Sequence, residues 1–353
     1  MLTRSKIKGM LVGGAIGDAL GRPVESMSRQ QIQKHHPEGL TEYVAPRANK
    51  WFKDDQKGVM TDDTQLSLAV LKALIRANGF GMGTQAKYHV QALHESDEGW
   101  GGSLRDSITR LSEGVRWSES GKTDNPHRGT GNGVLMRISP IAAWYAAKGQ
   151  KRLPWKKFAD KVVQFSAMTH YSRISALAGV IHCTVMENLL WNDVSRFNKD
   201  DVFHAIFKGL DGRHYKRSRK HPDHYYIGHL SDAKGASADF LYNMVKLSRN
   251  DELWSVEWAI NEFGCGRSYV AHSMPFSYSF FLKNPYCVES MFAVAAAGGD
   301  TDTNAKVVGE MLGALHGIEL FESSNYDHLI HGLEDSESLY KLADDFCDKF
   351  GVE

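Results

Sequence analysis

The chain has 353 residues, 42% of them hydrophobic, with 42 Lys and Arg balanced by 42 Asp and Glu. Such a composition supports a sizeable buried core and excludes a disordered chain. A net charge of zero supplies no global field toward nucleic acid or anionic lipid, so neither nucleic acid nor membrane is expected as a partner.

Taken in chain order, Arg4, Lys6 and Lys8 precede the apolar run from Gly9 to Leu20, which superficially resembles a secretion signal. Asp18 and four glycines break that pattern, and no other segment reaches the roughly 18 apolar residues of a membrane span. Ile7, Met10, Leu11 and Gly14 instead place a helix over 5–20, ended by Pro23. Breakers at Pro37, Gly39, Pro46 and Gly58 predict a long loop over 28–60 with little regular structure. From Thr61 an apolar face of Leu66, Ala69, Val70, Ala73 and Leu74 runs to a stop at Asn78-Gly79. Further helices are predicted over 84–95, 103–113, 133–148, 155–165, 172–191, 199–209, 236–248, 251–263, 287–297, 303–317 and 336–350. The run 277–282 is ambiguous, and no βαβ alternation appears, so the fold class is all-α. Residues 213–221 are strongly basic inside a predicted 210–230 loop, which reads as a solvated loop or a docking surface for an acidic or phosphorylated partner. Four scattered cysteines without a CxxC pair argue against a zinc site or a disulfide framework and fit a reducing cytoplasm.

Two helix starts carry the chemistry. Thr61-Asp62-Asp63-Thr64 suits an N-cap and the positive end of a helix dipole, but a cap needs one side chain. The run offers two carboxylates and two hydroxyls, all hard oxygen donors suited to magnesium or manganese. Gly298-Gly299-Asp300-Thr301-Asp302-Thr303 opens a second amphipathic helix in the same way. Should the two starts meet, Asp62, Asp63, Asp300 and Asp302 would crowd four carboxylates together, a repulsion that cations relieve. Glycines recur every fourth residue at 13, 17 and 21 and again at 309, 313 and 317. Each costs a helix interior about 1 kcal/mol relative to alanine, so tight helix packing or the close approach of a backbone or ligand is expected there.

Five motifs in register resemble the ADP-ribosylglycohydrolases, including the dinitrogenase reductase-activating kind. They are Gly14-Ala15-Ile16-Gly17-Asp18-Ala19-Leu20-Gly21, Pro23-Val24-Glu25, Thr61-Asp62-Asp63-Thr64, Gly131-Asn132-Gly133 with Met136-Arg137 and Pro140, and Gly298 to Thr303. The resemblance spans 7–317, while 28–60 and 190–262 carry no motif of the family. It implies one orthogonal multi-helix domain over 1–353 with a central dinuclear cleft holding two divalent cations, Mg2+ or Mn2+. Thr61, Asp62, Asp63 and Asp302 would then bind one ion, and Asp300, Asp302 and Thr303 the other, with Asp302 bridging. The resemblance further implies Glu25 beside the metals as a catalytic residue together with Asp62 and Asp302, Gly131-Asn132-Gly133 around the ADP-ribose, and His170 lining the same cleft. Residues 99–103 read either as a flexible loop in which Gly99 and Trp100 cover the cleft and stack on a base, or as a simple turn between helices.

The implied reaction is metal-dependent hydrolysis of the glycosidic bond between ADP-ribose and a modified protein side chain, arginine before serine or another acceptor. Two competing readings remain at this stage. Carboxylate pairs serve a two-metal phosphoesterase or nucleotide hydrolase equally well, and a non-catalytic ADP-ribose-binding or structural homologue would keep the fold.

Overall fold

A computed structural model of the chain describes residues 1–49, 53, 56–151, 153–210 and 227–353. The basic run 213–221 lies outside the described residues, as does most of the predicted 210–230 loop. Among the described residues there is no strand, and the α-helices are α1 (Arg4–Gly21), α2 (Arg29–His35), α3 (Asp62–Ala77), α4 (Met82–Glu95), α5 (Gly102–Ser112), α6 (Trp117–Ser120), α7 (Ser139–Ala147), α8 (Trp155–Thr169), α9 (Arg173–Trp191), α10 (Lys199–Leu210), α11 (Ala236–Lys246), α12 (Asn250–Leu253), α13 (Val256–Phe263), α14 (Val270–Lys283), α15 (Glu289–Ala295), α16 (Thr301–His316), α17 (Glu319–Glu322), α18 (Asp327–Gly332) and α19 (Ser336–Phe350).

The glycine rows explain the centre of the molecule. Gly9, Gly13, Gly17 and Gly21 of α1 face Gly313, Gly309, Ala305 and Thr301 of α16 in that order, so the two helices run antiparallel. A Cβ on Gly17 would lie 2.2 Å from the Ala305 carbonyl oxygen, and one on Gly313 would lie 1.9 Å from that of Gly9. Backbone therefore meets backbone, and the close approach offsets the helical cost of each glycine. The pairing sets the C-terminal end of α1 against the acidic start of α16, which is what places the site.

Three expectations need correction. The 28–60 stretch holds α2, which begins with a capping box in which Ser28 Oγ accepts from Gln31 N and the Gln31 side chain accepts from Ser28 N. The 277–282 run is not β-like but lies within α14, despite Pro275 inside that helix. Proline cannot donate to the Ala271 carbonyl four residues earlier, and the Asn243 side chain of α11 donates to that oxygen instead, at 2.8 Å. Finally, α9 is long and apolar enough to cross a membrane, with 89% of that stretch buried in the interior, where it packs on α7, α8 and α10 as a core helix. Two boundaries also shift: the predicted 133–148 helix is a tight 3-10 turn at Leu135–Arg137 followed by α7, and 251–263 splits into α12 and α13.

Candidate metal centre

The start of α3 is held by two caps. Thr61 Oγ1 accepts from Asp63 N at 3.1 Å, which accounts for the threonine. The second cap comes from α1: the buried Asp18 carboxylate accepts from Thr61 N at 3.0 Å, Thr64 N at 3.1 Å and Thr64 Oγ1 at 2.5 Å. Asp18 thereby ties the first turn of α3 to α1, and its negative charge lies at the positive end of the α3 dipole. Neither cap uses Asp63 Oδ1, which is buried with no hydrogen-bond partner among the described residues. Capping thus explains Thr61 and leaves Asp63 Oδ1 unexplained.

At the start of α16, Gly298 and Gly299 turn the chain with φ of +90° and +87°. A side chain on Gly299 would strike the Cys265 carbonyl oxygen at 1.9 Å. Ser26 N donates to Gly299 O at 2.8 Å and Gly299 N to Met27 O at 3.1 Å, which pins the segment carrying Glu25 against this turn. Asp302 Oδ1 accepts from Thr303 N at 2.9 Å, and Asp300 Oδ2 accepts from Asn132 Nδ2, also at 2.9 Å. Glu25, Asp300 and Asp302 each present a carboxylate oxygen within 4.8 Å of the other two.

Both helix starts open on one cavity of about 300 Å³. Thr61, Asp62, Asp63, Asp300, Asp302, Thr303, Glu25, Gly99, Gly131, Asn132, Gly133 and His170 all line it, joined by Arg22, Arg128 and Ser268, which the sequence did not single out. Trp100 does not line it. Its ring is 3% exposed and packs with Leu66, Leu104, Ile108 and Met136, and its Nε1 donates to Gln65 Oε1 at 2.9 Å. The expected stacking platform is therefore a core anchor under the loop, and Gly99 alone of that pair meets the cavity, beside Asp62. The glycine turn also differs from expectation in detail. The Asn132 amide already donates to Ser268 O at 2.8 Å, and a Cβ on Gly133 would meet the His170 ring at 2.7 Å. The missing side chain there makes room for His170.

The carboxylates strongly disfavour their charged forms. Burial, then the charges of Asp300 and Asp62, pushes Glu25 up to about 8; burial, then Asp18 and Asp300, pushes Asp62 up to about 7. Burial also raises Asp63, with Asp62, Asp18 and Asp300 adding to it, and Asp302, with Glu25, Asp300 and Asp63 adding to it. Lys306, 2% exposed one turn into α16, opposes this by lowering Asp63 and Asp18, while its Nζ is held by Glu310 Oε1 at 2.6 Å. Buried Arg22 likewise lowers Glu25 and Asp62, yet Glu25, Asp62, Asp63, Asp300 and Asp302 all remain raised, so these cations do not balance the acids. The orphaned Asp63 oxygen, the crowded carboxylates and the all-oxygen donor set fit a divalent cation.

The pH dependence follows with a definite sign. These groups have folded pKa values above their unfolded values near 4, so the stability tied to their protonation is complete below about pH 4. It is lost as pH rises toward 7 and 8, through the values for Asp62 and Glu25. Chelator-treated protein should therefore gain more in melting temperature from added Mg2+ or Mn2+ at pH 8 than at pH 5.5, because cations there replace protons. A gain that is equal at the two pH values, or absent, would contradict the assignment.

A family model described as ADP-ribosylglycohydrolase matches residues 1–353. Among related chains, an uncharacterized protein of Archaeoglobus fulgidus is 23% identical, with 96% of this chain and 94% of that one covered. The protein YegU of Escherichia coli is 24% identical over 90% and 89% of the two chains. The ADP-ribosyl-[dinitrogen reductase] glycohydrolase of Rhodospirillum rubrum is 22% identical over 88% and 85%. A solved ADP-ribosylglycohydrolase-related protein complex has the same fold, with a TM-score of 0.65, 19% identity and 98% coverage of both chains.

Proposed function

The chain belongs to the ADP-ribosylglycohydrolase family, and from that premise we propose that it hydrolyses the bond between the anomeric carbon of ADP-ribose and a protein side chain. The observation that carries the reading is the convergence of two acidic helix starts and Glu25 on one cavity, with Asp63 Oδ1 left without a hydrogen-bond partner among the described residues. Thr61, Asp62, Asp63 and Asp302 would hold one divalent cation, and Asp300, Asp302 and Thr303 a second, Mg2+ or Mn2+. Bound there, such ions supply positive charge to the ribose oxygens and acidify water.

The protein's own groups do the rest. In the reaction the bond from the anomeric carbon to the acceptor atom breaks, the acceptor atom gains a proton, and water gives its oxygen to the carbon and loses a proton. Glu25 is the carboxyl placed to carry one of those protons, since it lines the cavity with an oxygen within 4.8 Å of those of Asp300 and Asp302. Asn132 orients Asp300 through its amide, and Asp18 holds the first turn of α3 so that Asp62 and Asp63 face the cavity. Arginine is the acceptor favoured by charge. A second cavity, which shares Arg22, Thr61 and Asp62 with the first, is also lined by Glu95, Glu334 and the Arg22-paired Glu98 against Lys72, an acidic excess that suits a cationic guanidine leaving group.

Incubation of the purified chain with ADP-ribosylated arginine and serine peptides, with Mg2+, Mn2+ or chelator, tests the reading. Intact ADP-ribose should be released, faster from arginine and only with metal. AMP or inorganic phosphate as product would indicate a phosphoesterase instead, and no release from either peptide would overturn the proposal.

A further inference from the structure

Behind the glycine turn runs a line of four buried polar side chains that the proposed reaction does not use. His89 and Arg137 are fully buried, Thr169 is 1% exposed and His170 3% exposed. Arg137 Nε donates to His89 Nε2 at 3.2 Å, Arg137 Nη2 donates to Thr169 Oγ1 at 2.6 Å, and Thr169 Oγ1 lies 2.9 Å from His170 Nδ1. At the far end His89 Nδ1 is 2.8 Å from the Gln85 carbonyl oxygen.

The direction of every bond in this line follows from one residue. A guanidinium only donates, so His89 Nε2 must accept, and the proton of that ring sits on Nδ1, where the Gln85 carbonyl takes it. On the other side Thr169 Oγ1 accepts from Arg137 and has one hydrogen of its own to place. Threonines inside helices often return that hydrogen to the carbonyl four residues earlier, as Thr184 does to Val180 O at 2.7 Å. Thr169 makes no such bond, and His170 Nδ1 is the acceptor within reach among the described residues. His170 Nδ1 is then an acceptor, and the ring proton lies on Nε2. That nitrogen has no protein partner among the described residues and is not among the sealed orphan atoms, while the ring lines the metal-site cavity beside Gly131 and Gly133. Burial, together with the Arg137 charge, pushes both histidines down to about 3, so each ring is neutral and its tautomer is a defined state.

We propose that Arg137, fully buried and outside the cavity lining, is a positioning residue that acts through Thr169 to fix His170 as the Nε2–H tautomer, so that the cleft presents a neutral N–H donor to an acceptor oxygen of the ligand. His170 is thereby a ligand-orienting donor and does not take a proton from water. The tautomer stands independently of the proposed reaction; only the use of the donor on an ADP-ribosyl oxygen rests on it.

The decisive measurement is the ¹⁵N imidazole spectrum of the full-length protein at neutral pH, with the His170 signals assigned by their loss in His170→Gln. The native protein should show a protonated Nε2 and an unprotonated Nδ1 at His170. Thr169→Val keeps the side-chain shape and removes both the hydrogen offered to His170 and the oxygen that accepts from Arg137. It should abolish that fixed pattern and raise KM for an ADP-ribosylated peptide about tenfold, the worth of one hydrogen bond, with kcat little changed. Thr169→Ser should restore both. A native spectrum with the proton on Nδ1 overturns the proposal without need of any variant. So does a valine variant that loses activity while the His170 pattern stays, since that marks a merely structural threonine. Failure of the hydrolysis assay alone would leave the spectrum intact and would count against the reaction rather than the tautomer.

Discussion

Replacing Asp302 by asparagine is expected to lower turnover on the order of a thousandfold or more, on the scale of losing a main source of transition-state charge stabilisation. Asp302 is the carboxylate assigned to both cations, and Glu25, Asp300 and Asp63 all press on it. Asparagine has the same shape and keeps an oxygen to accept from Thr303 N, so the start of α16 should form as before. The same change should stabilise the chelator-treated protein near pH 8, because it removes one member of a repelling cluster. It should also abolish the melting-temperature gain from Mg2+ or Mn2+. Activity and metal-free stability therefore move in opposite directions, which no general misfolding would produce. Turnover within tenfold of the native enzyme, with the cation response preserved, would remove Asp302 from the site.

Glu25→Gln is expected to lower kcat by about 10²- to 10⁴-fold, the range for loss of a positioned proton carrier. Glutamine fills the same volume and keeps the segment pinned by Ser26 and Met27 to Gly299. The proposed ligands Thr61, Asp62, Asp63, Asp300, Asp302 and Thr303 remain, so the cation-induced stabilisation should persist, in contrast to the Asp302 variant. Metal-free stability should rise near pH 8, because the native carboxyl loses its proton near that value at a cost and glutamine has none to lose. Steady-state kinetics across pH 6 to 9 in saturating cation, beside melting curves in chelator, check both signs. If the variant loses its cation response as fully as Asp302→Asn does, Glu25 is a ligand and the proton carrier must be sought elsewhere.

Much of this was legible in the chain itself. Period-3.6 apolar faces marked most helices, and the two acidic starts at Thr61 and Asp300 stood out because each offered more oxygen donors than a cap can use. The glycine rows at 13, 17, 21 and 309, 313, 317 announced a close approach without naming its partner, and that partner is the other row. What escaped was decided by long-range contacts. The run 277–282 is ambiguous by sequence alone, and within α14 a side chain from α11 supplies the bond that Pro275 removes. Trp100 looked free to stack because nothing nearby in sequence revealed Gln65 as its hydrogen-bond partner. Asp18 interrupts an apolar run and belongs to the first motif, but no partner is assigned to it by sequence; a buried carboxylate there must find donors, and it finds them at Thr61 and Thr64.

The division has a physical basis. Residue identity and local spacing by themselves determined the all-α class, the hard-oxygen donor set and the small residues that let two backbones touch, because these depend on side-chain chemistry and helical period. Which charges share a volume, which buried oxygen is left without a donor, and which nitrogen of His170 carries its proton were decided only by the tertiary structure. Electrostatic repulsion and hydrogen-bond direction depend on distance in space, and the α1–α16 contact and the Arg137–Thr169 line set those distances between residues far apart in the chain.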